Sequence, residues 1–408
     1  MRISEIQSRI SDGQVEISGV VSVDCAPSKP FPVWMRFPAE FGEPQALGDP
    51  FAAAFLLTSM FDREDLHVEA PVSAKLVNAF SHIQYTYSSW YPRKLARTHF
   101  SCAETVDRSD EPRATGVGCL FSGGVDSWYS VLANQERITH LVMVRGFDIL
   151  ERNAAIWDMA TETAQAVAAQ YGKSLVLMET NVRQLTDKSD PLWGHRADFD
   201  FWGPVSCGST LATMGLCLGH VLGELIIPSS YSIPQIAPWG SHPLTDPLFT
   251  TERVRVTHDS CRPTRMDKVA ALARCPLAMR TLRVCWRNEQ GAYNCCRCEK
   301  CRRTMLALAA RGALGNATSF HLPLDLHGVM RADRPKHGWS IWYREILDLA
   351  ESRGETKIAE AIRVLLGDRF SLERTFVRAE MWLKRFGKRM IHRRIWQALT
   401  KAVEKGDH

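Results

Sequence analysis

Two short stretches carry residues whose types and spacing could do chemistry. The first is GCLFSGGVDSWYS (118–130). Apolar residues 117–121 read as a buried strand, Ser122-Gly123-Gly124 as a tight turn, and Asp126–Ser127 as a helix start. Adjacent glycines let a backbone turn sharply and approach a ligand with no Cβ in the way. Free N–H groups at a helix start, aided by the helix dipole, favour an anion there. Ser122 and Ser127 add hydroxyl donors on either side of Val125, and Asp126 is placed to cap the helix or to orient a magnesium ion. The pattern lacks both the Gly-Lys-Ser/Thr of the Walker loop and the GxGxxG of dinucleotide sites. A glycine-rich turn whose Ser and Asp only cap a helix is the plainer alternative.

The second stretch holds five of the twelve cysteines: Cys285, Cys295, Cys296, Cys298 and Cys301. Clustering of this kind argues for a metal site rather than a disulfide scaffold. Four thiolates suit tetrahedral Zn2+, and an x2 spacing lets a tight knuckle present two sulfurs to one ion. Cys296 is surplus to such a set and directly follows Cys295, so an exchange of roles between the two stays open, as does an iron–sulfur or redox set. Arg297, Lys300, Arg302 and Arg303 would offset the charge of the thiolates or meet a phosphate.

The elements that must position these residues alternate strand and helix, the mark of an α/β fold with an open parallel sheet. Strands are expected at 117–121, 139–144, 174–178 and 225–228, with helices near 127–135, 153–170 and 209–222, then at 267–274 and 299–311. Ligands of open α/β sheets gather at the carboxyl ends of strands. Asn181 and Arg183, just past the third strand, are therefore candidates to reach phosphates, against an exposed loop arginine as the alternative. Residues 1–110 read as an N-terminal α+β accessory domain, 111–312 as the chemical domain, and 313–408 as a helical basic extension.

SGGVDS at a strand-to-helix turn resembles the PP-loop of the N-type ATP pyrophosphatase superfamily. Followed by Cys-x9-Cys-x2-Cys-x2-Cys and a basic helix, it is similar to the 7-cyano-7-deazaguanine synthase family over about residues 117–311, roughly half the chain. The resemblance implies an open-sheet Rossmann-like domain and an ATP-dependent, C–N bond-forming ligase with ATP, Mg2+ and Zn2+. Such an enzyme adenylates a carboxylate, 7-carboxy-7-deazaguanine or a relative, releases pyrophosphate and couples ammonia or another amine. It further implies that Val144, Gly146 and Phe147, with Met143 and Arg145, lie along the adenine, and that Cys285, Cys295, Cys298 and Cys301 hold the zinc. The chain departs from the family in its terminal regions and in GSHPLTDP (240–247). There Ser241, His242 and Asp246 would hold the acceptor, with His242 or Asp246 assisting amine deprotonation. A Pro-rich loop with Asx-type turns is the alternative. Trp202, Tyr231 and Trp239 would stack on a deazapurine or belong to the core. Synthase-like relatives with GSHPLxDP and NCxRCEKCxRTM occur in some antiphage-defence or surface-modification gene clusters, so a subunit of an antiviral defence system is an alternative.

A PP-loop tRNA sulfurtransferase is another alternative, with Cys207 as the lone thiol near the presumed cleft. A non-catalytic nucleotide sensor is the third, disfavoured by the intact SGGVDS. Composition sets only outer bounds. The 408 residues are 45% hydrophobic and 23% charged with a net charge of +5, as in an ordinary folded protein. That charge is too mild to argue for nucleic acid by itself. The stretch 372–405, with ten Lys+Arg against three acids, could meet a protein or nucleic-acid acceptor. No run reaches the length of a membrane span and no secretory h-region opens the sequence, so a cytoplasmic location is expected. A homodimer is compatible with the sequence.

Overall fold

The alternation over 117–228 is built as strands that feed crossover helices. β6 (Gly116–Leu120) leads into α3 (Val125–Ala133), β7 (His140–Arg145) into α4 (Ala154–Tyr171), and β8 (Ser174–Thr180) completes the run. α5 (Cys207–Cys217) then returns the chain to β9 (Leu222–Pro228), followed by β10 (Arg255–Asp259), α6 (Arg265–Ala273), α7 (Pro276–Thr281) and α8 (Glu299–Ala310). The computed structural model describes residues 1–24, 30–44, 46–186, 199–288, 291–335 and 337–368. The basic stretch 372–405 lies outside the described residues.

β10, β9, β6, β7 and β8 lie side by side in that order, each pair parallel. Both faces of such strands are covered by helices, so they read as near-continuous apolar runs. Leu225, Ile226 and Ile227 of β9 and Leu141 and Val142 of β7 are all buried. From β6 the chain moves one way to β7 and later the other way to β9. The crevice outside the carboxyl ends of β6 and β9 is therefore the switch point where open sheets bind ligands.

No seam appears at residue 110. β1 (Arg2–Ser11), β2 (Gln14–Ser22) and β3 (Phe31–Pro38) form an antiparallel meander whose last strand pairs with β8. β4 (Leu66–Ser73) and β5 (Phe100–Val106) extend the far side in parallel with β1, giving one ten-stranded sheet. α1 (Gly48–Asp62) is buried from Gly48 to Met60, and Phe51, Phe55, Leu56 and Leu57 each contribute about 1.5–3 kcal/mol by leaving water. α2 (Ala74–Trp90) follows β4. Residues 1–304 and 313–322 form one compact unit, so the expected domain boundary becomes a continuous sheet. The second unit takes in 305–312 and the chain from 323. It includes α9 (Leu326–Arg331), α10 (His337–Ser352) and α11 (Thr356–Leu366), with Trp342, Ile346, Ile358 and Ile362 buried. No helix among the described residues is long and apolar enough to cross a membrane.

The junction of β3 and β8 is finished by side chains, and this corrects the expected role of Asn181. Its Oδ1 accepts from the Trp34 N–H at 2.9 Å and its Nδ2 donates to the Pro32 carbonyl at 2.9 Å. Thr180 Oγ1 donates to the Trp34 carbonyl at 2.8 Å. The carboxamide is thus committed to the β3 backbone rather than held out toward a phosphate. Asn181→Ala removes two hydrogen bonds, to the part-buried Trp34 N–H and Pro32 C=O, and we expect denaturant unfolding to show a loss of about 1–3 kcal/mol. Unchanged stability with impaired nucleotide binding would contradict this assignment.

Candidate functional site

The glycine turn stands at the carboxyl end of β6. Gly123 has φ +73°, a left-handed value that a side chain would strain. Gly124 is the N-cap of α3, and the first intrahelical bond runs from the Trp128 N–H to the Gly124 carbonyl at 2.9 Å. The N–H groups of Val125, Asp126 and Ser127 precede that bond and are free of the helix ladder. Ser127 Oγ donates to the Gly124 carbonyl at 3.1 Å and lies 3.4 Å from Ser122 Oγ, which in turn accepts from the Gly124 N–H at 3.4 Å.

Asp126 does not cap the helix. Its carboxylate pairs with Arg265 at 3.1 Å and Lys268 at 3.2 Å, both in the first turns of α6, which a Thr264–Asp267 capping box holds in place. Burial would raise the Asp126 carboxyl, but Arg265, Lys268 and Arg303 outweigh it and hold it below the ordinary range. Lys268 is 1% exposed, and its ammonium also donates to the Ser229 carbonyl at 2.5 Å, just past the end of β9. The starts of α3 and α6 and the end of β9 are thus joined by one buried ion pair. A magnesium ion at Asp126 would have to compete with two cations already on its oxygens.

Past β7, Gly146 has φ +108° and lies so close to Thr180 that a Cβ would stand 1.8 Å from its carbonyl oxygen. Its N–H is taken by the Ile149 carbonyl at 2.8 Å, so this group does not face a ligand. Val144 pairs with Met178 of β8 beyond the last β6–β7 pair, Leu120 with Val142. Arg183 donates to the Phe147 carbonyl at 2.6 Å, pairs with Asp148 at 3.6 Å and lies over the Trp202 ring at 4.5 Å. Phe147 and Trp202 are 5.3 Å apart, and Tyr231 and Trp239 are 6.1 Å apart. Trp202, Tyr231 and Trp239 are all half-buried rather than core. Trp202 opens a π-helical turn (Trp202–Ser206) at the head of α5, a distortion frequent at functional sites.

Cys285, Cys295, Cys298 and Cys301 converge, with all four sulfurs within 4.8 Å of one another and all four residues buried. A tetrahedral zinc with bonds of about 2.3 Å separates its sulfurs by roughly 3.8 Å, and Cys295 Sγ lies 4.0 Å from Cys301 Sγ. The Cys298 N–H points to Cys295 Sγ at 3.2 Å and the Cys301 N–H to Cys298 Sγ at 3.5 Å, so the backbone is already arranged for thiolates. Bonding among the thiols pushes Cys285 down and Cys298 and Cys301 up, because one negative charge opposes the next. The cluster could hold a metal such as zinc, which would remove that conflict. Cys296, at φ +56°, takes its sulfur elsewhere, to the Asn294 carbonyl at 3.4 Å and His321 Nδ1 at 3.8 Å.

The cluster and the turn are directly linked, which the sequence did not show. The Arg283 N–H donates to the Gly123 carbonyl at 2.8 Å. One and two residues on, the N–H groups of Val284 and Cys285 share Asn294 Oδ1 at 2.9 and 3.2 Å. The buried Arg283 side chain bonds Asn288 Oδ1 at 2.6 Å. Burial lowers its guanidinium, opposed first by Asp148.

The GSHPLTDP loop is held by the N-terminal region. Tyr87 of α2 donates to the Gly240 carbonyl at 2.7 Å, and Trp90 lies 4.7 Å from the His242 ring. His242 Nδ1 accepts from the Leu244 N–H at 3.0 Å, and burial, with His258, lowers the imidazole. Asp246 is 0% exposed, which corrects its expected role as a base toward substrate. It accepts from Ser241 Oγ at 2.7 Å, the His242 N–H at 3.1 Å and His258 Nδ1 at 2.7 Å. Burial alone would lower His258, but Asp246, hydrogen-bonded to it, and the neighbouring Cys261 push it up to about 9. Burial raises the half-exposed Cys261 thiol, yet His258, Ser229 and Lys268 together hold it below its ordinary value. Cys207 is the opposite case: buried, bonded to the Gly203 carbonyl at 3.3 Å, and pushed up by burial. The spacing His258-x2-Cys261 at a strand end was the available signal for this pair.

No family model, no curated protein and no solved structure matches the chain.

Two outcomes follow from this geometry. Purified protein is expected to carry about one zinc per chain, and Cys298→Ser to lose the metal together with several kcal/mol of stability. Metal analysis beside denaturant unfolding checks both, and a metal-free wild type of full stability would refute them. His258 lies above its unfolded value of about 6.5, so its contribution is present below that pH and lost as pH rises through about 9. That loss amounts to about 3 kcal/mol. Unfolding at pH 6 and pH 10 should show it in the wild type and not in Asp246→Asn.

Proposed function

We propose that the chain is an ATP-dependent synthase that adenylates a carboxylate, releases pyrophosphate and passes the acyl group to ammonia or another amine. The observation that carries this reading is the Ser122–Gly124 turn at the β6/β9 switch point, opening α3 beside Arg265 and Lys268. The strand order supports it: read as β8-β7-β6-β9-β10, it is the 3-2-1-4-5 arrangement of nucleotide-binding open sheets. In this reading the N–H groups of residues 125–127 and the Ser122 hydroxyl receive the phosphates, and their fixed dipoles stabilise the charge that develops on departing pyrophosphate. Arg265 adds positive charge at the same place, while Asp126 keeps it and Lys268 aligned. The overhanging end of β7 beyond Val142 borders the base, and the half-buried rings of Trp202, Tyr231 and Trp239 border an aromatic acid such as 7-carboxy-7-deazaguanine. When bound, zinc at the four cysteines supplies structure: with four thiolates it has no open position for a substrate.

His242, on the loop held by α2, is itself buried at 4% exposed, but it lines the small pocket beside Ser229 and Tyr231 and in this reading meets the acceptor amine from there. The sulfurtransferase alternative loses its expected thiol, since Cys207 is buried and bonded to backbone. Exchange of labelled pyrophosphate into ATP is the deciding measurement. It should depend on 7-carboxy-7-deazaguanine or a related acid, proceed without tRNA, and fall roughly 10²–10³-fold in Ser122→Ala or Arg265→Ala. Exchange that requires tRNA and a sulfur donor would replace this reading with the sulfurtransferase one. ATP binding without any exchange would replace it with a nucleotide sensor.

A further inference from the structure

The strip that backs the glycine turn carries a large side chain that neither the core nor the chemistry described above uses. Trp286 directly follows Cys285 and is 44% exposed, and among the described tryptophans it is the exposed one. We infer that Trp286 is the stacking wall for the nucleotide base, held between the glycine turn and the loop after β7 by Arg283 on one side and Asn288 on the other. This role presupposes the adenylation reading above and adds to it the side chain that recognises the base.

The backbone fixes where the ring starts. The Arg283 N–H donates to the Gly123 carbonyl at 2.8 Å, and a Cβ built on Gly124 would stand 3.6 Å from the Arg283 carbonyl oxygen, so residue 283 lies against the turn. At the other end of the strip, Asn288 Nδ2 donates at 2.5 Å to the carbonyl of Asp148, which lies just past the end of β7. Arg283 and Asn288 are themselves joined, Nη2 to Oδ1, at 2.6 Å. The chain bends at 286 and 287, and Asn288 takes φ +52°, an uncommon value for a residue with a side chain. The strip therefore crosses from the turn at the end of β6 to the loop at the end of its neighbour β7. At about 3.6 Å per residue at most, the Trp286 Cα lies within about 11 Å of the Arg283 Cα and about 7 Å of the Asn288 Cα. A base whose phosphates occupy the turn and whose edge meets β7 falls in that interval.

Chemistry favours a ring at this place. The Gly146 N–H is spent on the Ile149 carbonyl and the Asn181 carboxamide on β3, so two groups past the ends of β7 and β8 that could bond a base edge are occupied. An indole holds a base by its face instead, and such stacking needs no donor or acceptor on the base. The support is stiff, because Asn294 fixes the N–H groups of both residues before Trp286. A ring presented on a fixed backbone loses little freedom when it stacks, and the affinity gains accordingly. The Arg287 guanidinium, 5.8 Å from the ring centroid, adds positive charge beside an anionic ligand.

The test uses the full-length protein, with metal content measured in each variant because Trp286 adjoins Cys285. Titration calorimetry with ATP and with tripolyphosphate, both in the presence of Mg2+, separates stacking from phosphate contact, since tripolyphosphate carries no base. Trp286→Ala should bind ATP at least about tenfold more weakly and tripolyphosphate within about twofold of the wild type, and Trp286→Phe should stay within about threefold for both. An equal loss for the two ligands, with or without loss of metal, overturns the proposal, because Trp286 would then support the turn rather than touch the base. Unchanged ATP affinity in Trp286→Ala beside intact pyrophosphate exchange in the wild type removes the base wall and leaves adenylation standing. ATP affinity that depends on Trp286 without any exchange removes adenylation and leaves the base wall. A wild type that binds neither ligand removes both.

Discussion

One main-chain hydrogen bond, from the Arg283 N–H to the Gly123 carbonyl, joins the glycine turn to the segment that leads into the cysteine cluster. A turn made of Ser122, Gly123 and Gly124 has almost no side chain with which to hold itself in place. Its shape must be imposed from outside, and the segment around Arg283 does so. That segment is fixed in turn by Asn294, whose carboxamide accepts from Val284 and Cys285 and donates to the Leu282 carbonyl at 2.8 Å. Asn294 is followed at once by Cys295. A metal at the four cysteines would therefore act on the glycine turn at a distance of a few bonds, by removing the freedom of the strip that backs it. Four thiolates with no open coordination position suit that task better than catalysis.

The second constraint is the buried lysine. An ammonium group out of water is tolerated only when paired and hydrogen-bonded, and Lys268 is tied to Asp126 and to the Ser229 carbonyl. Asp126 thereby belongs to the fold as much as to the chemistry. Removing its carboxylate leaves an uncompensated buried charge, which typically costs about 3–5 kcal/mol. The loss of activity such a variant would show is then no measure of contact with a phosphate. Ser122 and Arg265 are the cleaner reporters, because neither leaves a fully buried charge without a partner.

Much of the chemical domain was legible in the sequence. β6 to β9 are apolar runs separated by helices of ordinary length, and α3, α4, α5, α6 and α8 fall where hydrophobic spacing places them. The cysteine cluster was legible because its members at 295, 298 and 301 lie within two turns of chain. What stayed hidden was non-local. Nothing in ThrAsnValArg (180–183) reveals that Trp34 and Pro32 occupy Asn181, because the partner strand lies about 145 residues earlier. Asp246, His258 and Cys261 are close in sequence but sit on a loop, a strand end and the turn after it, and no helical or strand period brings them together. Lys268 reads as one more polar residue of an amphipathic helix, yet it is almost fully buried.

The N-terminal region gains its meaning from the same non-local contacts. Its sequence shows no chemistry, and its strands meet the central sheet at β8, on the side away from the β6/β9 crevice. Its helix α2, however, reaches the GSHPLTDP loop: Tyr87 holds the Gly240 carbonyl, Trp90 lies against His242, and Tyr91 just beyond it donates to the Pro238 carbonyl at 3.0 Å. Glu252, a few residues past the loop, accepts from the Lys75 N–H at 2.8 Å at the other end of α2. The loop from Pro238 to Asp246 thus has one wall built from residues after 110 and one from the added region. The glycine turn is anchored by β6, α6 and the cysteine strip, none of which belongs to residues 1–110. The added region therefore shapes the GSHPLTDP loop, where the acceptor would lie in the proposed reading, and leaves the glycine turn to the rest of the chain. In the proposed reading, that division would allow the acceptor to change while the adenylation chemistry stayed the same.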